Sequence, residues 1–190
     1  MKKAWIVVGI LAVVLMICVI SAISVRNGLI AQDEAVSENW SQIETQLQRR
    51  ADLIPNLVAT VKGYAQHEEK IFTEVADARS RLLGAVGAQA KAEASAGLNS
   101  ALGRLLAVAE RYPELKANVN FIRLQDELAG TENRIAVART RFNQAVRSYN
   151  AAIRQFPGSL FAGGLGLEKR EYFEAPEGRA AVEKAPEIQF

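Results

Sequence analysis

Residues 4–25 read AWIVVGILAVVLMICVISAISV and carry no charged side chain. As an α-helix, a run of this length spans about 33 Å, enough to cross a hydrocarbon core of about 30 Å. Lys2 and Lys3 precede the run and Arg26 closes it, and the sequence beyond Arg26 has the mixed composition of a soluble domain. The first expectation is therefore a single transmembrane helix over residues 1–26 that carries one exposed domain. A cleavable secretory signal is the alternative. Its apolar core would be only about 7–15 residues and would end at a small-residue cleavage site, for which Ser21-Ala22 is a faint match. Trp5, beside the lysines, suits the headgroup level. Basic residues stay on the cytoplasmic side. Lys2 and Lys3 lie before the span, whereas Arg26 is followed by Asp33, Glu34 and Glu38. The domain is thus expected outside the cytoplasm, with a cytoplasmic domain as the alternative.

The chain has 190 residues, so the stretch after the span suffices for one domain with a sizeable core. The net charge of +2 comes from 23 basic and 21 acidic residues, and Lys2 and Lys3 supply the excess. A near-neutral domain without interleaved aromatic and basic residues carries no nucleic-acid footprint. The one cysteine, Cys18, lies inside the apolar run, which removes disulfides, thiolate catalysis and cysteine metal sites from the domain. Leu15-Met16-Ile17 before it lacks the small residues of a lipoprotein cleavage site. The single histidine, His67, adjoins Glu68 and Glu69, but immediate neighbours on a helix do not share a face. No Gly-rich loop follows a strand. The expectation is no catalytic residue, no metal site, no cofactor and no enzymatic activity.

Between residues 28 and 156 there are two prolines, Pro55 and Pro113, and no alternating β-branched run. Val36, Trp40, Ile43 and Leu47 follow a helical spacing, and Ile54, Leu57 and Val61 resume the same seam. Arg50 falls on that seam where an apolar residue is expected. Pro55 predicts a kink or a local break. A second helical segment begins at His67-Glu68-Glu69 and carries Ile71, Phe72, Val75, Leu82 and Leu83. The Ala-, Gly- and Ser-rich residues 85–100 read as a hairpin or loose junction. Leu98, Leu102, Leu105, Leu106 and Val108 build a third segment, and residues 67–112 could form one helix or two. Pro113 suits a helix first turn, with Glu114 after it. Leu115, Val119 and Ile122 then lead into Ile135, Ala138, Phe142, Ala145, Tyr149, Ile153 and Phe156, which Pro157-Gly158 ends. The expected fold is all-α: an N-terminal transmembrane helix followed by an antiparallel four-helix bundle over residues 27–157, with long first and last helices. A three-helix version, whose last helix ends far from the membrane, is the rival. Residues 158–190 read as a glycine-containing, acidic, largely irregular tail with a short extended end, Pro186-Glu187-Ile188-Gln189-Phe190.

Two groups of residues stand out. In the four-helix version the last helix returns to the anchor, so Phe156, Leu160, Phe161 and Leu165 are expected at the membrane interface with Trp5. Midway along the long helices lie Arg50, Asp52 and Asn56 on one and Glu132, Asn133 and Arg134 on the other. If the first helix leaves the membrane at Gly28 and the last returns at Phe156, these positions face each other within about one turn. A structural polar layer is expected, with Arg50–Glu132 and Asp52–Arg134 as pairs and Asn133 or Asn56 capping a backbone group freed by Pro55. Such residues in a bundle core set register. Arg134, Arg139, Arg141, Arg147 and Arg154 follow, with no acid over residues 133–167. They read as a solvated, salt-bridging surface or as a contact for lipid or a partner.

Arg49-Arg50-Ala51-Asp52-Leu53-Ile54-Pro55-Asn56-Leu57, Tyr112-Pro113-Glu114-Leu115-Lys116, Leu124-Gln125-Asp126-Glu127-Leu128, Thr131-Glu132-Asn133-Arg134-Ile135, Tyr149-Asn150, Phe156-Pro157 and Tyr172-Phe173-Glu174-Ala175, taken in order, resemble signatures of the LemA family. Phe142-Asn143 departs from the tyrosine often found there and loses a hydroxyl. The resemblance implies a bacterial single-pass membrane protein with an antiparallel four-helix domain, and it implies no enzyme. Some members of the family are associated with membrane-compartment organisation or with envelope proteases. The expected function is a membrane-anchored scaffold or interaction protein of the bacterial envelope, in the cell membrane, that self-assembles. Its partners would be membrane lipid, further copies of itself and a membrane protein, with no nucleic acid. Gly9, Ala12, Ser21, Ala22 and Ser24 in the span, and the Ala-rich residues 85–100, offer surfaces for close helix approach. The alternative is an envelope ligand-sensing or stress-related module acting with a membrane protease.

Overall fold

A computed structural model describes residues 2–174, and all regular structure among them is helical. Helix α1 (Lys2–Lys62) is 61 residues long and passes through Arg26, Asn27 and Gly28 without a break. The anchor and the first helix of the domain are therefore one element. Its most apolar stretch is not buried against any other described part of the protein, which is what side chains facing lipid require. It is the one helix among the described residues long and apolar enough to cross a membrane.

Pro55 does not break α1. Proline has no N–H, so the carbonyl four residues earlier loses its helical donor. That carbonyl belongs to Ala51, and Arg79 donates to it from Nε at 2.8 Å. The expected caps, Asn133 and Asn56, do not fill this role. Arg79 lies on α2 (Glu69–Gly84), which packs against α3 (Ala88–Ala109). Residues 67–112 thus hold two helices. Their turn is confined to residues 85–87, where Gly87 takes φ of +88°, a conformation L side chains rarely adopt. Residues 88–100, read from composition as a junction, are helical. Alanine is the best helix former, and Ala92, Ser95 and Leu98 are buried.

The last helix is also divided. A single turn, α4 (Pro113–Lys116), precedes α5 (Val119–Ala152). Asn118 caps α5: its Oδ1 accepts the N–H groups of Asn120 at 2.9 Å and Phe121 at 3.1 Å. This restart shifts the helical phase. Val119 is 76% exposed and Ile122 is exposed too, although the apolar spacing placed both in the core, and Phe121 is buried in their stead.

The chain forms two compact units. One comprises the chain up to Glu38 with Gln144–Arg170. Leu29, Val36, Val146, Tyr149, Ile153 and Ala162 are buried in it. After a cis Phe156–Pro157 bond come α6 (Gly158–Ala162) and a 3-10 turn (Gly163–Leu165), closed by left-handed Gly166. The irregular tail expected from residue 158 is therefore ordered in its first part. A Cβ at Gly158 would collide with the Ala152 carbonyl oxygen and lie 3.3 Å from Leu29 Cδ2. Only glycine allows this approach, which sets the start of α6 beside α1 just past Arg26.

The other unit comprises Asn39–Asn143 with the chain from Glu171 on. Its core includes Ile43, Leu47, Ile54, Leu57 and Val61 of the α1 seam, Val75 and Leu82 of α2, Leu98 and Leu105 of α3, and Ile135 and Phe142 of α5. Residues 175–190 of the expected tail, including Pro186–Phe190, lie outside the described residues.

Gly158→Ala should destabilise the first unit by about 1–3 kcal/mol, the usual cost of forcing a group into a packed site. Gly164→Ala, whose Cβ would meet nothing within 4 Å, is the control. Thermal unfolding of the full-length protein in detergent, followed by circular dichroism, should show a lower midpoint for Gly158→Ala alone. Equal midpoints would mean that the close approach carries no stability.

Candidate functional site

Arg50 sits on the apolar seam of α1 between Leu47 and Ile54 and is 6% exposed. Its Nη1 donates to Oε2 of Glu132 on α5. Asn99 of α3 donates to the other carboxylate oxygen at 3.4 Å. Thr131, next to Glu132 and fully buried, returns its hydroxyl to the Leu128 carbonyl at 2.7 Å. The layer thus joins α1, α3 and α5. Burial pulls the Arg50 guanidinium below its ordinary pKa, opposed by the charge and hydrogen bond of Glu132. The Nε of Arg50 is buried without a partner among the described residues.

The expected layer is only partly assembled. Arg50 and Glu132 meet, whereas Asp52 and Arg134 do not. Two residues along a helix rotate a side chain by about 200°, so an inward Arg50 turns Asp52 outward. Asp52 is exposed, accepts a hydrogen bond from Gln48 Nε2 at 2.9 Å and lies 4.0 Å from Arg79 Nη2. Arg134 is exposed, with its Nη2 3.1 Å from where a Cβ on Gly130 would be. Asn56 and Asn133 are exposed, and the Asn56 backbone carbonyl accepts the Thr60 hydroxyl at 2.8 Å.

Of the expected membrane-interface residues, Trp5, Phe156 and Leu160 are exposed, the last two 80% and 69%. Phe161 and Leu165 are half-buried. Two large apolar side chains thus stand in the open at the α6 turn that packs against Leu29. His67 is exposed, and no three metal-ligating side chains cluster among the described residues.

A strap formed by residues 167–174 went unread in the sequence. In the first unit, Asn150 Oδ1 accepts the Arg170 N–H at 2.9 Å and its Nδ2 donates to the Arg170 carbonyl at 2.9 Å. The Tyr149 hydroxyl donates to the Glu168 carbonyl at 3.0 Å, and the Arg170 guanidinium donates to Asp33 Oδ1 at 2.9 and 3.2 Å. Burial pushes the Tyr149 phenol up in pKa, and the Asp33 charge adds to this. The hydrogen bond to Asp33 raises Arg170. In the second unit, Asn143 treats Phe173 in the same way: Oδ1 accepts its N–H at 2.9 Å and Nδ2 donates to its carbonyl at 3.2 Å. The Phe173 ring is buried with its centroid 6.2 Å from that of Trp40, which in turn lies 5.3 Å from Phe142. Each asparagine completes one backbone N–H and C=O as a neighbouring strand would.

A family model described as the LemA family matches residues 39–190. The chain belongs to the LemA family. Among its relatives, the magnetosome protein MamQ of Magnetospirillum gryphiswaldense is 30% identical over 183 aligned residues, covering 82% of this chain and 67% of that protein. Magnetosome protein MamQ 1 of Paramagnetospirillum magneticum matches to the same extent. Protein LemA of Metamycoplasma hominis is 25% identical over 153 residues, covering 80% of this chain and 70% of that protein. The LemA-type motifs hold the residues that make the site: Arg50, Glu132, Tyr149, Asn150 and Phe173.

The pair of Arg50 and Glu132 is unequal, because the Glu132 side chain is 45% exposed. Glu132→Leu leaves a buried, unanswered guanidinium and should cost about 3 kcal/mol. Arg50→Met leaves a carboxylate that water reaches and should cost about 1 kcal/mol. The double variant should resemble Arg50→Met. Denaturation of the three proteins tests this, and equal, additive shifts would mean a plain surface pair. For the strap, Asn143→Ala should speed amide hydrogen exchange at Phe173 about tenfold or more, the loss of a bond worth over 1 kcal/mol. Unchanged exchange would show that Trp40 and Phe142 hold the strap unaided.

Proposed function

We propose that this protein is a membrane-anchored helical scaffold of the bacterial envelope, which gathers partner proteins and copies of itself. The observation that carries the reading is α1: one helix is both the apolar span and a core element of the domain. Binding on such a tethered domain is confined to a surface, which raises effective concentration without new contacts. The described polar residues with buried partners serve structure: Arg50 and Glu132 hold helices together, and Asn143 and Asn150 hold the strap. The proposed scaffold is an antiparallel four-helix bundle with no enzymatic activity or cofactor. Its domain lies outside the cytoplasm, and Phe156 and Leu160 touch lipid. Relatives named as magnetosome proteins are consistent with this reading. Open concavities of about 590 and 510 Å³ lie along α2–α3 and α1–α5, surfaces of a kind that suits macromolecular partners.

The test is extraction of the full-length protein in mild detergent, with its mass measured and the co-purifying proteins identified. A multimer with reproducible membrane-protein partners is expected, and a strict monomer without partners would sink the reading. A reporter active only in the cytoplasm, fused after Phe190, should stay silent, and a strong signal would reverse the orientation.

A further inference from the structure

The α1–α5 face of the second unit carries a groove that none of these roles uses. Its volume is about 510 Å³, and Gln42, Thr45 and Gln46 of α1 face Arg134, Val137 and Arg141 of α5 across it. Arg134 and Arg141 are two turns apart and share one face of α5. Between them Val137 is 53% exposed. Among the described residues neither arginine has a carboxylate partner, and the sequence offers no acid over residues 133–167. Both arginines are exposed, as a solvated surface requires, and among the described residues neither takes part in the salt bridges that the sequence suggested. On the opposite wall the side-chain Oε1 of Gln46 is buried without a donor among the described residues.

We propose that this groove binds an acidic peptide segment of a partner protein, with two carboxylates about 10 Å apart flanking an apolar side chain. The spacing decides the ligand class. Seven residues of helix separate the two arginines, so a single small anion would satisfy one of them, whereas a peptide reaches both. Carboxylates meet guanidinium groups in paired, charge-assisted hydrogen bonds. Val137 gives the side chain between them an apolar seat. The amides of Gln42 and Gln46 and the hydroxyl of Thr45 offer donors and acceptors to a peptide main chain, and a donor from the ligand would relieve the orphaned Gln46 oxygen once that side chain turns toward it. This deepens the scaffold reading, on which it rests, by giving one partner surface its chemistry.

The test uses the full-length protein in nanodiscs of phosphatidylcholine. A labelled helical peptide, with two glutamates seven residues apart flanking a leucine, is titrated by fluorescence polarisation. The same peptide carrying glutamines serves as its control. Wild type should bind the glutamate peptide about tenfold more tightly, and Arg134→Gln/Arg141→Gln should lose about tenfold. Val137→Glu, which places a carboxylate in the seat, should lose as much. Arg81→Gln/Arg139→Gln removes the same charge from exposed positions off the groove and should leave binding within about twofold. Equal loss in both arginine doubles would reduce the effect to overall charge and overturn the site. So would failure to bind the peptide by a protein that instead takes up vesicles containing phosphatidylglycerol. Unfolding midpoints and detergent mass are measured on every variant. A variant that melts and assembles like wild type but ignores the peptide has lost the site and kept the scaffold, so the two ideas fail separately.

Discussion

A guanidinium placed among Ile43, Leu47, Ile54 and Leu57 must be answered at one place, and in this protein that place is Glu132. Removing a charge from water costs several kcal/mol unless a counter-charge with good geometry replaces the lost solvation. The apolar seams of α1 and α5 could slide past each other at modest cost, because one methylene resembles the next. Arg50 cannot slide with them. A shift of one residue in α5 turns its side chains by about 100° and carries Glu132 off the seam. The aromatic pair keeps the same register: ten residues back along α1 from Arg50 is Trp40, and ten residues on along α5 from Glu132 is Phe142, against which Trp40 packs. The seam supplies most of the driving force for packing, and the ion pair selects which packing.

The strap is held by a different principle. It has no regular hydrogen-bonded structure of its own, so its backbone groups need partners from elsewhere. Asn150 supplies both to Arg170, and Asn143 supplies both to Phe173. An amide side chain is the one neutral group that donates and accepts in the geometry of a peptide unit. Aspartate could accept but not donate, and leucine could do neither. Each clamp is reinforced by a side chain that packs or pairs: Phe173 beside Trp40 in one unit, Arg170 on Asp33 in the other.

Periodicity made the α1 seam readable, and with it the anomaly of Arg50, because burial of a helical stripe leaves a regular trace in sequence. The pairing of Arg50 with Glu132 followed from an antiparallel arrangement and a constant rise per residue. Asp52–Arg134 was expected by the same register and fails, because register fixes height along a helix but not direction around it. The restart of α5 at Asn118 was hidden inside an apolar period that continued across it, and only the cap geometry reveals the change of phase. The partner of the Ala51 carbonyl was out of reach for another reason: Arg79 belongs to α2, and nothing in its neighbourhood along the chain marks it as facing Pro55. The strap left a fainter trace. Tyr172-Phe173-Glu174-Ala175 matched a LemA-type signature but did not show what holds the strap, because asparagine reads backbone and not side chains. The available signal was on α5, where Asn143 and Asn150 recur seven residues apart beside buried Phe142 and Tyr149.

The division of labour among polar residues bears on what the surface is for. Arg50, Glu132, Asn99, Arg79, Asn143 and Asn150 all point at another part of the chain and are committed to it. Arg134 and Arg141, which have no carboxylate partner among the described residues, are exposed and lie along a flank of α5 beside Val137. Spread along a helix at fixed spacing, such residues recognise extended complementary surfaces more readily than they focus on one reacting atom. Helix α1 thus carries the apolar span into a core whose register Arg50 and Glu132 fix, and the flank of α5 presents Arg134 and Arg141, which have no carboxylate partner among the described residues.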